Sequence, residues 1–250
     1  MIDILLFSAK AAFAIMGFAV GFRLYGKSRS DVGVGVHTLG AAVIFIGGVG
    51  LFAAAGGEAM ADTSRTLAIR STIAGDVLER IALIGLGVFI WKVFRPDWRG
   101  GLGATIVLGL FLSASMVWEL YSQPWPHYDA SLPSAWSTQL TFALPLAWSA
   151  VESAVAWSLG RRRLALGLSE PAAVERFAIW SVACTSFVAI CILAVLSPAA
   201  TDAGHTGLAS LFVVLRSACY FVVTAAIWLG MFEPAFYVRR FAADAQPIND

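Results

Sequence analysis

The sequence predicts an all-α, polytopic membrane protein: one domain over residues 1–250, a bundle of seven transmembrane helices with its N-terminus outside and its C-terminus inside. Three observations predict it. The chain is 59% hydrophobic and only 13% charged, with mean hydropathy +0.78, whereas a soluble domain carries about 25% charged residues. Seven apolar runs, at about 2–22, 32–55, 71–91, 102–121, 135–159, 177–197 and 207–232, each approach the roughly 20 residues that cross a ~30 Å hydrocarbon core. Lysine and arginine are distributed unevenly over the short connections between them.

The first run begins almost at Met1 but has Asp3 where a signal peptide has its basic cluster, and its positive charges follow the apolar stretch. It reads as a retained first helix that exports its own N-terminus. Gly17-x-x-x-Gly21 in this run, and Gly47, Gly48 and Gly50 in the second, permit close backbone approach within the bundle or between protomers. The third run carries Asp76, Glu79 and Arg80. The fourth ends at the aromatic residues Trp118 and Tyr121. Pro145 predicts a kink in the fifth. Ser169-Glu170-Pro171 reads as the N-cap and first turn leading into the sixth. Cys184 and Cys191, seven residues apart on one face of the sixth helix, and Cys219 in the seventh fall inside apolar spans, so no disulfide framework is expected.

Direction follows from the connections. One side holds Arg23, Lys27, Arg29, Lys92, Arg95, Arg99, Arg161, Arg162, Arg163, Arg176, Arg239 and Arg240; the other holds only Arg65 and Arg70. Positively charged loops stay inside. Aromatic belts agree: Trp118, Tyr121, Trp125, Tyr128 and Trp136 mark the outer interface, and Trp91, Phe94, Trp98, Phe236 and Tyr237 the inner one.

Ionisable groups at membrane depth cost at least roughly 2.5–3.5 kcal/mol each and stand as functional candidates. Counting 1.5 Å per residue puts Lys10, Asp76, Glu79, Arg80, Glu119 and Arg216 in the outer half, at roughly 5–15 Å depth. Thr72, Asp76 and Arg80 share one helix face with Glu79 beside them, and Arg216, Tyr220 and Thr224 form a similar stripe. Three cations and three anions sum to zero, as a buried network requires. Two readings stand: salt bridges that hold helices together, or a polar pocket or ion pathway open to the outside. Glu152 lies in the inner half, with Trp148, Ser149 and Ser153 close by in sequence; His37 is its candidate partner, and His37 would be the proton-responsive group.

Several chemistries are disfavoured. The last run has no lysine for a retinal Schiff base, and Arg216 cannot substitute because it stays protonated. His127 and His205 lie in connections, so no histidine pair is expected for haem. No membrane histidines stand at zinc spacing, and neither G-x-S-x-G nor a phosphate-binding glycine loop occurs. No catalytic residue, metal or cofactor is therefore expected. Net charge +1 argues against nucleic acid. Residues Glu233 to Asp250 are too few for a kinase or cyclase output domain, so signalling would need a separate protein.

The inner face carries Trp91-Lys-Val-Phe-Arg-Pro-Asp-Trp98, then Arg161-Arg-Arg-Leu-Ala-Leu-Gly-Leu-Ser-Glu-Pro171, then Phe232-Glu-Pro-Ala-Phe-Tyr-Val-Arg-Arg240. Interfacial anchoring on anionic lipid accounts for these stretches, at about 1 kcal/mol per basic residue; Arg95, Arg161, Arg162 and Arg163 could instead dock a cytoplasmic partner. With Val151-Glu-Ser-Ala-Val-Ala-Trp157 they resemble uncharacterised bacterial seven-helix integral membrane proteins, over helices three to seven. The resemblance rests on spacing; it implies the fold and a bacterial inner (plasma) membrane, and no activity. The topology is similar to that of rhodopsins and seven-helix receptors, without the retinal lysine, and fold alone does not carry function. The expectation is a sensor or receptor-like protein. Lys10, Asp76, Glu79, Arg80, Glu119, Arg216 and Tyr220 would surround a small ligand or lipid. The alternatives are a transporter or proton/ion conductor, with Lys10, Glu79 and Glu152 along its path, and a structural subunit. The expected partners are the lipid bilayer and a second copy of the chain.

Overall fold

The structure, a computed structural model, describes residues 2–27, 34–125 and 129–232, with the side chains of 2, 3, 25–27, 34–38 and 58 left outside that description. Helix α1 spans Ile2–Lys27. A second rod consists of α2 (Val34–Val43), a π-helical segment (Ile44–Gly50) and α3 (Leu51–Ala59). Then follow α4 (Arg65–Phe94), α5 (Gly101–Ser122), α6 (Pro133–Ala165), α7 (Pro171–Asp202) and α8 (Thr206–Phe232). Among the described residues there is no strand. Six of these rods are long and apolar enough to cross a membrane, which makes this a multi-pass membrane protein. The remaining rod, α4, is 30 residues long, about 45 Å, but carries Arg65, Arg70, Asp76, Glu79, Arg80 and Lys92.

Neighbours in sequence are neighbours in space. Each rod packs on the next from α1 to α8, and α8 returns to α1, which closes a ring. Helix α4 also touches α6, so α5 stands at the periphery. The outer surface is apolar: Phe7 is 68%, Ile15 66% and Leu110 65% exposed. In water such a surface would be unfavourable; against lipid tails it is the solvated one. The interior mixes Leu83, Leu86, Ile90, Leu112 and Val223 with buried Ser115, Thr138, Ser149 and Ser153.

The glycines of the second rod are where helices come closest. A Cβ on Gly17 would stand 2.9 Å from the backbone of Gly47, and one on Gly75 would stand 2.7 Å from the Gly50 carbonyl oxygen. The expected close approach thus lies within the bundle, with α1 on one side of the rod and α4 on the other. The π-helical winding coincides with these contacts. Three glycines in seven residues lower the backbone's resistance to irregular winding, and π segments recur at functional sites.

The helices are longer than the apolar runs. Helix α4 begins at Arg65 rather than 71, and α6 and α7 run on to Ala165 and Asp202. Hydropathy marks only the hydrocarbon core, whereas backbone hydrogen bonding continues through the headgroup zone. Arg65 and Arg70, assigned to a connection by hydropathy, are therefore helical. Glu170, not Ser169, occupies the N-cap of α7, without a side-chain cap, and Pro171 opens the helix. Helices α6 and α7 both end on a left-handed glycine, Gly167 (φ 70) and Gly204 (φ 78). Leu168 N–H donates to Arg163 O at 2.9 Å and His205 N–H to Ala200 O at 2.8 Å, the Schellman closure that only glycine makes without strain. Pro145 lies inside α6 as expected, and Pro198 lies inside α7.

Candidate functional site: a charged cavity at one end of the bundle

Arg80 is the organising residue of α4. Its guanidinium is 4% exposed and saturated by three helices. Nε donates to Leu112 O at 3.0 Å, and Nη2 donates to Glu119 Oε2 at 2.8 Å and to Thr138 Oγ1 at 3.2 Å. Nη1 is ion-paired with the Asp76 carboxylate one turn back. Thr138 Oγ1 in turn donates to Glu119 Oε2 at 2.9 Å, and the Phe142 ring lies 5.0 Å from the Arg80 Cζ. Buried charge is tolerated when it is paired and every donor is used. This clasp therefore joins α4, α5 and α6.

In front of the clasp opens a cavity of about 540 Å³, within the ~300–1,000 Å³ typical of small-molecule pockets. Lys10, Asp76, Glu79, Glu119, Arg216 and Tyr220 all line it. The outer-half residues singled out in the sequence thus converge on one space, with Arg80 immediately behind its wall. The cavity runs from Leu83 and Leu146, midway along α4 and α6, to Ala61, Trp125 and Ala130 in the connections at the end where α4, α6 and α8 begin. Glu79 lies in the field of Asp76, Arg80, Lys10 and Glu119, and its side chain packs against Gly50 of the π segment. Tyr220 lies within electrostatic reach of Arg216 and Glu79, its ring 5.8 Å from Phe13.

Arg216 differs from Arg80. It lines the same cavity, yet its buried Nε has no hydrogen-bond partner, and among the described residues no carboxylate lies within ion-pair distance of it.

The floor is apolar. Phe13, Ile46, Leu146 and Phe187 line both this cavity and a second one of about 40 Å³, which Leu39, Val43, Leu86, Trp180 and Ile227 also line. Phe13 and Phe187 meet edge to face, centroids 5.0 Å apart. A space of that size could hold one water, but without polar partners it stays dry.

At the opposite end Glu152 has a partner that the sequence reading did not name. Glu152 is engaged by Arg95, whose Nε lies 3.0 Å from both carboxylate oxygens, and by Trp148 Nε1, which donates at 3.4 Å. The side chain of His37, its expected partner, lies outside the described residues. Arg95 follows α4 as its C-cap and turns back over α6. It is therefore not simply a surface anchor: it is half exposed, at 51%, against 12% for Glu152. Trp98 closes over Trp148 at 6.1 Å, edge to face. Arg161 pairs with Glu175 at 3.5 Å, whereas Arg162 and Arg163 are exposed.

Trp125 and Trp136, assigned to the outer belt, line the cavity as well; Trp118 and Tyr121 remain lipid-facing at 50% and 89% exposure. Tyr128, Phe236, Tyr237, Arg239 and Arg240 lie outside the described residues. The sequence reading missed Thr138 and Thr141, although their signal was present. Ser134, Thr138, Thr141, Pro145, Ser149 and Ser153 recur every three or four residues along α6, a largely polar stripe in which Thr141 alone is only partly buried. Thr141 Oγ1 lies 3.1 Å from Ser115 Oγ, and Ser149 Oγ accepts from Trp180 Nε1 at 2.9 Å. Comparison with protein-family models, curated proteins and solved structures finds no significant match for this chain.

Proposed function

We propose that the chain is a seven-span protein of a bacterial inner membrane, N-terminus outside, that binds a small ligand or lipid in the outer-half cavity and acts as a sensor or receptor. The observation that carries this reading is a cavity charged at one end and apolar at the other. Its walls hold Lys10, Asp76, Glu79 and Arg216, and its floor is Phe13, Ile46, Leu146 and Phe187. The seventh span is α4: Arg80 and Asp76 turn inward onto partners, while Ile81, 51% exposed, faces outward. The excess of basic residues at the ends carrying Arg95 and Arg161 supports the orientation.

An output route is available. Helices α4 and α6 supply both the cavity wall and the Arg95–Glu152 pair at the far end, so a ligand that shifts one helix against the other alters that pair. An ion conductor is less well supported, because a path from Glu79 to Glu152 would have to cross the apolar floor.

Native mass spectrometry of gently purified protein tests the reading. A retained small molecule or lipid is expected, and it should be absent from Ala194→Trp, which fills the cavity from α7. If instead Ala194→Trp keeps whatever the native protein carries, or if proteoliposomes show ion flux abolished by Glu152→Gln, the reading fails.

A further inference from the structure

The walls of this cavity are not evenly committed. Asp76 and Glu119 share the Arg80 guanidinium. Glu79 lies in the field of Lys10 and packs on Gly50. Arg216 alone among the guanidiniums of this site has no carboxylate within reach among the described residues, and its buried Nε is unpartnered. A guanidinium is always charged and presents a planar fork of donors matched to carboxylate or phosphate. Holding it inside a bundle without a counter-ion is costly. Among the described residues nothing completes it, and an acidic group bound in the cavity would.

We propose that the cavity takes an amphipathic molecule with one acidic head, carboxylate or phosphate monoanion, seated on Arg216 beside Tyr220, its alkyl or aryl body on the floor of Phe13, Leu83, Leu146 and Phe187. This rests on the ligand-binding reading above and gives that ligand a chemical class. A cationic ligand would compete with Arg80 for Asp76 and Glu119, and Glu79 already lies in the field of Arg80 and Lys10. A zwitterion would have to displace one of those cations to seat its own. The apolar floor, where Phe13 lies 5.8 Å from the Tyr220 ring, requires a body that is not itself charged. Such an acid could be released from lipid, as a fatty acid is, or arrive from water.

The test uses three probes of one shape on the full-length purified protein: 4-phenylbutyrate, 4-phenylbutanol and 4-phenylbutylammonium. Binding is read by thermal stabilisation and calorimetry. The acid is expected to bind best. In Arg216→Gln its affinity should fall about tenfold to a hundredfold, the loss expected for a charge-assisted hydrogen bond, and Arg216→Lys should recover part of it. Because no carboxylate pairs with Arg216 among the described residues, Arg216→Gln should melt no lower than the native chain without probe, which separates lost binding from lost folding. Native mass spectra distinguish the sources: a retained acyl chain indicates lipid, and an empty protein that takes up phenylbutyrate indicates a soluble acid. Tighter binding of the alcohol or the ammonium, or unchanged acid binding in Arg216→Gln, overturns the acidic-head inference and leaves the ligand-binding reading standing. Failure of all three probes, together with an Ala194→Trp variant that loses nothing, overturns both.

Discussion

Arg216 on α8 lines the cavity and Arg80 on α4 lies behind its wall, and their surroundings assign them opposite roles. Every direction around the Arg80 guanidinium is filled: a main-chain carbonyl, two carboxylates, a threonine hydroxyl and an aromatic face. Removing one partner of a buried pair costs about 3–5 kcal/mol because the other charge is left uncompensated. Arg80→Gln is therefore expected to lower the melting temperature clearly, and Glu119→Gln to do the same; combined, they should cost much less than the sum, as a double-mutant cycle would read. Additive losses would mean that the pair is not coupled. The membership of this site was legible in the sequence, because every span starts at one of two membrane planes and depth can be counted along it. The pairings were not. Which face a helix turns inward depends on packing, so the pairs Arg80 with Glu119 and Glu152 with Arg95 could not be read from spacing alone.

At the scale of elements, the second rod and α6 shape the cavity. The π segment places Gly50 against both Gly75 and Glu79, so a side chain at Gly75 would push α4 off the rod. Gly75→Val is expected to destabilise by about 1–3 kcal/mol, the cost of overpacking, and to loosen the cavity, measurable as a lower melting temperature and weaker probe binding together. A variant with native stability would show that the close approach is not required. The glycines at 47, 48 and 50 announced this contact in the sequence; the π winding did not, since no residue pattern distinguishes it from α. The α5–α6 connection at the cavity mouth is held by its own small network. Ser131 Oγ and Ser131 N–H donate to Asp129 Oδ1 at 2.7 and 2.9 Å, and those bonds hold the Asp129 carboxyl below the usual carboxylate range. A depressed folded-state pKa contributes order that is complete above the ordinary Asp value of about 3.9 and is lost as pH falls through the lower folded value. Amide exchange at Ser131 should therefore stay slow at neutral pH and quicken only in that acid range. Exchange already fast at pH 7, or unaffected by Asp129→Asn, would contradict this.

Across the whole molecule, the arrangement is a closed ring of rods, with a cavity that is charged at one end and apolar toward the middle. Seven apolar runs and the charge of their connections made the multi-pass helical class readable before any coordinates. The ring order was not readable, because it depends on α8 meeting α1 and α4 reaching past α5 to α6. Nor was the floor, since Phe13 and Phe187 sit far apart in sequence and look like lipid-facing residues. That partition is the central claim, because a pocket becomes a passage if it fails. Phe187→Ala should join the two cavities, at a stability cost of about 3–5 kcal/mol for the lost side chain.

The most direct measurement is the reaction of single cysteines, in an otherwise cysteine-free chain, with a membrane-impermeant cationic methanethiosulfonate applied from either face of oriented vesicles. Ala194→Cys, in the cavity wall, is expected to react from the outer face alone, and Ala183→Cys, beyond the floor, from neither. Reaction of Ala194→Cys from the inner face, or of Ala183→Cys from the outer one, would contradict a pocket closed at mid-membrane.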